Sequence, residues 1–338
     1  MKIYYTLLLL IIVVLIIIIL ISKNSHEFGL LASGNTSLNN MNNIYEGMIN
    51  IGQPEPDTIN KFKKNKKKYL WTYWELINGA QKPPDYIDLC IDIMKKNSKK
   101  YFKLVILNEK SIFNYLPDLR RDINNLPIAL KADYIRIALL YRYGGFWMDP
   151  DTIMMTDLKK IVHNLNKKND FIGFGCTGQI CKNLEGYGRP SNGVMGSIKK
   201  GKLISYCLQI LNEQLNMYYE TPMNKRKKFA YFDLGKKTIW KSYDKLIRED
   251  PSYNYYHVNA WMDGTRNKTG EWIAPELIFD NNIEYYDKNE LQVVMLANSI
   301  YCGNDKKYNW FCKLSRSEII GGQYFISSLF RDALKFEV

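Results

Sequence analysis

From residue 69 onward the chain switches repeatedly between short apolar runs and longer stretches with helical spacing, and each switch marks an element. Residues 69–73 (Tyr-Leu-Trp-Thr-Tyr) form a first strand-like run. Pro84 then opens a helix to about Lys96, with Ile87, Cys90, Ile91 and Met94 on one face. Residues 102–107 (Phe-Lys-Leu-Val-Ile-Leu) read as a second strand. A strong helical pattern follows over residues 130–143, and Gly144-Gly145 ends it, as glycine does at a helix C-terminus. Phe146-Trp147-Met148 is a short buried strand leading straight into Asp149. The pattern predicts further strands at 171–174, 194–197, 253–258 and 291–297, and helices at 203–219, 236–248 and 315–335. This alternation predicts an α/β domain with a mostly parallel, Rossmann-like central sheet. Ligands of such sheets bind beyond the carboxyl ends of the strands, which is where Asp149 falls.

The first 67 residues follow other rules. Residues 3–21 are almost uninterrupted aliphatics without a charge. That length suits one helix across a bilayer, and Ser22-Lys23-Asn24 offers no small-x-small cleavage site, so residues 1–22 are expected to be an uncleaved signal anchor. Lys2 and the amino terminus lie on its short side, whereas Lys23 is offset by Glu27, which favours a cytosolic N-terminus. The expected result is a single-pass type II protein with its body lumenal or extracytoplasmic. Residues 23–67 are rich in Asn, Ser, Gly and Pro and close on a lysine run, as a flexible basic stem would. The folded body is then residues 68–338.

Composition changes this picture little. The 338 residues carry a formal charge of +13 and 46% hydrophobic residues, ample for a buried core. The lysines are scattered through a chain heavy in Lys, Asn, Ile and Tyr, as an AT-biased coding sequence would give. No nucleic-acid-binding motif accompanies them, so nucleic acid is not an expected partner. Six cysteines allow disulfides in a translocated body. Cys176 with Cys181 and Cys302 with Cys312 are close enough to staple loops, and Cys90 and Cys207 suit small buried positions, but sequence does not choose among the pairings. Asn35-Thr36-Ser37 and Asn267-Lys268-Thr269 are acceptor sequons that matter if the body is lumenal.

The chemistry concentrates between residues 132 and 151. Asp149-Pro150-Asp151 puts two carboxylates one residue apart at a strand end, a pair able to hold a hard divalent cation. Upstream, Asp133 and Arg136 lie three apart on one helix face. They form either an ordinary intrahelical ion pair or a clamp in which Asp133 accepts from sugar hydroxyls and Arg136 donates to them or to phosphate. Gly173-Phe174-Gly175-Cys176-Thr177-Gly178 fits the dinucleotide pattern, yet the following segment, rich in Gly, Asn and Pro, opens no helix. It reads as a glycine-rich loop.

The stretch Ala132 to Asp151 resembles the signature of the glycosyltransferase sugar-binding region containing the DXD motif. That group takes in yeast-type initiating mannosyltransferases, capsular polysaccharide synthesis transferases and, more distantly, clostridial glucosylating toxins. Its form is a small residue, Asp, two residues, Arg, a Leu-rich helix, Tyr-Gly-Gly, an aromatic pair and Asp-x-Asp. Tyr69 to Trp74 and Ser191-Asn192-Gly193-Val194-Met195 resemble its opening strand and a later Asn-bearing segment.

The resemblance implies a GT-A fold and retaining hexosyl transfer with Mn2+ or Mg2+. The donor is a UDP- or GDP-sugar and the acceptor a glycan, polysaccharide or glycoprotein. It makes Asp151 the main metal ligand and gives Asp149 the ribose, or the metal through water. Trp71 would stack on the base and Trp147 stand against the nucleotide, while Asp133 and Arg136 hold the donor sugar with Asn192 nearby. The family commonly ends its last strand in His-x-x-x-Ser-x-Trp; the matching run here is Met295 to Tyr301, which keeps Ser299 but replaces the His with Met295 and the Trp with Tyr301. Asn298 is then the expected substitute oxygen ligand, with His257 as its rival. No enzymic nucleophile stands out, which favours a front-face route assisted by the leaving phosphate. The altered Met295 position also admits a carbohydrate-binding protein that has lost turnover.

Overall fold

The computed structural model describes residues 67–337, apart from 77–78, 176–181, 183–186, 281–284 and 304–305. The expected anchor and most of the stem, the Asn35 sequon, Cys176 and Cys181 therefore lie outside the described residues. Among those described, no helix is long and apolar enough to cross a membrane.

In chain order, β1 (Lys68–Tyr73) leads to α1 (Asp85–Ser98), β2 (Phe102–Leu107), α2 (Ile128–Tyr143), β3 (Gly145–Met148) and β4 (Thr152–Met154). Next come α3 (Lys159–Val162), β5 (Phe171–Gly175), β6 (Val194–Ser197), α4 (Lys202–Glu220), α5 (Lys236–Glu249) and β7 (Tyr256–Asn259). The chain closes with β8 (Val293–Met295), α6 (Asn298–Tyr301), α7 (Arg316–Gly321) and α8 (Phe325–Lys335). Six strands make one sheet in the order β2-β1-β3-β6-β5-β7. β1 runs parallel to β2 and β3, and β5 parallel to β7, while β6 opposes both of its neighbours. The sheet is thus mixed and mostly parallel, in an α/β fold.

Side-chain alternation along the strands splits the core into two layers. Leu70, Phe146 and Met148 face the layer that contains α1, α7 and α8. Trp71, Tyr73 and Trp147 face the layer built on α2, α4 and α5. Full burial of side chains such as Leu70 and Phe146 contributes about 1.5–3 kcal/mol each. Helix α2 is enclosed on nearly every side, so its polar residues must be paired inside the protein. Lys131 meets Glu75 at 2.6 Å, and Asp133 meets Arg136 at 3.1 Å.

Two expectations need correction. The strand at 291–297 does not join the central sheet; β8 instead pairs antiparallel with β4, a strand the pattern missed, in a separate two-stranded ribbon. The single helix at 315–335 is two helices, because Gly321-Gly322 breaks it after a capping box between Ser315 and Glu318. The turn after α2 does follow its glycines. Gly145 has φ +99, and a Cβ there would lie 2.5 Å from the Tyr69 carbonyl oxygen, so only glycine lets β3 enter beside β1.

Candidate active site

The sheet's central strand and the buried helix above it bring four of the singled-out residues together. Arg136, from α2, lies between two carboxylates: its guanidinium is 3.1 Å from Asp133 Oδ1 and 3.2 Å from Asp149 Oδ1. It also donates to the Asn192 carbonyl. Its Cζ rests 5.0 Å from the Trp147 ring centroid. Asn192 Nδ2 donates to Asp133 Oδ1 at 3.0 Å. Asp149, just past β3, is fixed by its own N–H to Gly193 O at 2.9 Å and by the Trp147 indole N–H to Oδ1 at 2.8 Å. Of the two alternatives for Asp133 and Arg136, the intrahelical ion pair is present, and Arg136 ties it to the Asp149 carboxylate.

Asp151 has a different environment. Its backbone carbonyl accepts from Leu296 N–H at 3.0 Å, and Oδ2 accepts the Asn298 N–H at 3.1 Å. Among the described residues it has no ion pair. Loss of hydration raises its carboxyl above the ordinary range, and the neighbouring Asp149 charge adds to the rise. Asp149 is likewise raised by loss of hydration, against the opposing pull of Arg136. Burial pushes Asp133 up to about 7, with Arg136 pulling the other way. For Arg136 itself burial opposes the charge, yet Asp149 and Asp133 together lift it above its usual value.

The fit of these groups to a divalent cation follows from Asp151. It is a recessed carboxylate without a direct ion pair among the described residues, with the Arg136 charge offsetting only part of its lost hydration, and such a group is costly to bury. No cluster of three or more His, Cys, Asp or Glu able to hold a metal exists among the described residues. A divalent cation here would rest on no more than the Asp149 and Asp151 carboxylates, with water and substrate phosphates completing its shell.

Other expected site residues sit differently. Trp71 is wholly buried: it stacks on Tyr69 at 4.5 Å and donates its indole N–H to Gly144 O at 2.9 Å. It is a core residue whose ring has no face for a base, which corrects the expected stacking role. Trp147 is also wholly buried and acts through Asp149 and Arg136 rather than by facing a nucleotide. Asn298 reaches Asp151 through its backbone N–H, while its side-chain oxygen accepts from the Tyr86 hydroxyl. His257 lies on β7, with β5 and β6 between it and β3, about 14 Å away at ordinary strand spacing. Its ring packs at a tilt against Tyr255 and pairs with Asn254, so it is structural and not a rival ligand.

Three further neighbours shape the site, of which the sequence reading had named Met295 as a replaced motif residue and missed Gly235 and Tyr231. Met295 fills the space over Gly193, where a Cβ would lie 2.6 Å from its sulfur and 3.3 Å from Asp149 Oδ2. Gly235 closes against the clamp: a Cβ there would lie 2.4 Å from Asn192 Nδ2 and 2.5 Å from Asp133 Oδ1. Tyr231 lies near exposed Ser299, and loss of hydration raises its phenol, with the charges of Asp151, Asp149 and Asp133 adding to the rise. Only Met295 stood in a recognisable motif; Tyr231 and Gly235 lie in a segment with no pattern to mark them.

Residues 19–263 match the family described as capsular polysaccharide synthesis protein, and the chain belongs to that family. Among solved structures it is similar to the PaToxG glycosyltransferase, at 15% identity over 54% of this chain and 69% of that one, with a TM-score of 0.37. It is also similar to the glycosyltransferase GlyE of Streptococcus pneumoniae TIGR4, at 13% identity over 78% of this chain and 64% of that one, with a TM-score of 0.39. A galactosyltransferase, LgtC, solved with donor and acceptor sugar analogs, matches at 10% identity over 80% of this chain and 96% of that one, with a TM-score of 0.38. No curated protein matches the chain.

Proposed function

We propose that this protein is a metal-dependent glycosyltransferase of capsular polysaccharide synthesis. It moves a hexose from a UDP- or GDP-sugar to a glycan, polysaccharide or glycoprotein acceptor, with retention. The observation that carries this reading is the Asp133–Arg136–Asp149–Asn192 network beside Asp151, a carboxylate without an ion pair among the described residues, at the carboxyl end of β3. Membership of a polysaccharide synthesis family agrees with it.

In this reading Asp151 holds Mn2+ or Mg2+, with Asp149 contributing through water or binding the donor ribose. The cation, when bound, neutralises charge that develops on the departing diphosphate. Asp133 and Asn192 orient donor hydroxyls as acceptor and donor groups, and Arg136 fixes both Asp133 and Asp149 in place. The acceptor hydroxyl forms the new bond to the anomeric carbon, while the bond from that carbon to the diphosphate oxygen breaks and its electron pair leaves with the nucleotide. The hydroxyl proton passes to the leaving phosphate. Residues 3–21 anchor the chain, with the body on the lumenal or extracytoplasmic side. The Cys302–Cys312 disulfide supports that placement, since such bonds persist in oxidising compartments.

A second reading, a carbohydrate-binding protein without turnover, is favoured by the Met295 thioether beside Asp149. One assay separates them: hydrolysis of a panel of UDP- and GDP-sugars with added Mn2+. We expect Mn2+-dependent hydrolysis in the wild type, and its loss by about a thousandfold or more in Asp151→Asn. Mn2+ should also raise the wild-type melting temperature and leave that of Asp151→Asn unchanged. Undiminished hydrolysis by Asp151→Asn would remove the metal assignment.

A further inference from the structure

Beside the site lies a cavity of about 400 Å³ lined by Arg189, Lys237, Trp240, Lys241, Asp244 and Arg248. Five of these belong to α5, at spacings of three, four, seven and eleven residues from Lys237, which places them on one face of the helix. The row from Lys237 to Arg248 extends about 16 Å along the helix axis. Arg189 is held from the opposite wall: it donates to both Asp244 oxygens, at 3.0 and 2.9 Å, and lies 5.5 Å from the Trp240 ring centroid. Lys236 adds a second cation 4.5 Å from the same ring. Asp233 pairs with Lys237 at 2.8 Å, whereas among the described residues Lys241 and Arg248 make no ion pair. Five cations thus face two carboxylates, and the excess is positive.

This cationic wall is joined to the candidate active site by covalent neighbours. The Trp240 indole N–H donates to Pro190 O at 2.9 Å, two residues before Asn192, whose side chain bonds Asp133. At the other end Gly235, one residue before α5, is packed against Asp133 and Asn192. A chain bound along α5 therefore has its end beside the clamp.

We propose that this face of α5, with Arg189, binds the acceptor, and that the acceptor is a glycan with anionic groups on sugars beyond the one that reacts. The inference rests on the transferase reading and names its acceptor class. A row of separate cations along one helix matches negative charges spaced along a polymer, and its wall at Arg189 is pre-set by Asp244 and Trp240. Carboxylate and phosphate groups share this chemistry.

The test is binding of charged and neutral oligosaccharides to the full chain in detergent, by titration calorimetry at low salt. The probes are oligogalacturonate, a phosphomannan oligosaccharide and maltohexaose. We expect at least one charged probe to bind about tenfold or more tighter than maltohexaose, the better one identifying the acidic group. The double variant Lys241→Glu/Arg248→Glu should lose about tenfold or more of that affinity, and rising salt should weaken the wild type. Both side chains are exposed, and an unchanged melting temperature reports an intact fold. Equal affinity for charged and neutral probes, or an unaffected double variant, overturns the proposal. So does tighter binding of single-stranded DNA or phosphatidylserine vesicles than of either charged glycan. Mn2+-dependent sugar-nucleotide hydrolysis, measured in parallel, fails or succeeds separately from these affinities.

Discussion

Arg136 is the residue on which the candidate site turns. It is enclosed among Asp133, Asp149, the Asn192 carbonyl and the Trp147 ring, so each carboxylate depends on it for compensation. Arg136→Ala would leave two recessed acids unpaired, and a loss of about 3–5 kcal/mol in urea unfolding free energy is expected. Arg136→Lys should recover only part of it, because an ammonium cannot reproduce the planar contacts to both acids and the ring. A loss below about 1 kcal/mol for the alanine variant would show that the network is not coupled as described. Asp133, Arg136 and Asp149 were legible in the sequence because their types and spacing fall within one helix-to-strand passage. Trp71 was misread for an equally physical reason: a tryptophan in a strand shows its residue type, but not whether either ring face is open.

At the scale of elements, the passage from α2 through Gly144-Gly145 into β3 follows local rules, whereas the supports of Asp151 do not. The residue is held by the start of α6, and Asn298 there is bonded by Tyr86, whose hydroxyl also lies 3.6 Å from Cys302 Sγ. Cys302 is bridged to Cys312, ten residues away. Removing the bridge by Cys302→Ser/Cys312→Ser should lower stability by about 2–3 kcal/mol through the freed unfolded chain. Because α6 carries the N–H that Asp151 accepts, Mn2+ affinity should fall as well. Calorimetric melting and Mn2+ titration of the variant check both effects; an unchanged melting temperature would contradict the first. The ribbon of β4 and β8 was not legible beforehand, since its strands pair only three residues each and lie far apart in the chain.

For the whole molecule, the relevant quantities are charge distribution and its response to pH. Scattered in sequence, the cations at 189, 236, 237, 241 and 248 gather on one face only because α5 winds them to the same side and the segment before Asn192 folds back onto it. His257 gives a pH dependence of opposite character, far from the site. Its Nδ1 is buried without a partner among the described residues, and loss of hydration pushes the imidazole down to about 4. The unfolded chain takes up that proton below about 6.5, whereas the fold resists it until about 4. Stability is therefore lost as pH falls from about 6.5 toward 4, where the unfolded state binds more protons. The urea midpoint should drop less between pH 7 and 5 in His257→Gln than in the wild type. Identical pH profiles would remove His257 from this role.

By itself the sequence determined the α/β class, most strands and helices of the body, the glycine turn into β3 and the cluster of acids that follows it. Each of these is governed by neighbours a few residues away, through periodicity, backbone freedom and chain direction. Tertiary structure alone decided which distant groups meet: Arg136 with the Asn192 carbonyl, Asp151 with an N–H 147 positions later, and Gly235 against Asp133. Those contacts are set by how helices and sheet pack around shared core volume. No local pattern encodes them, and they decide which of the singled-out residues meet at the site and which, like Trp71, are buried in the core away from it.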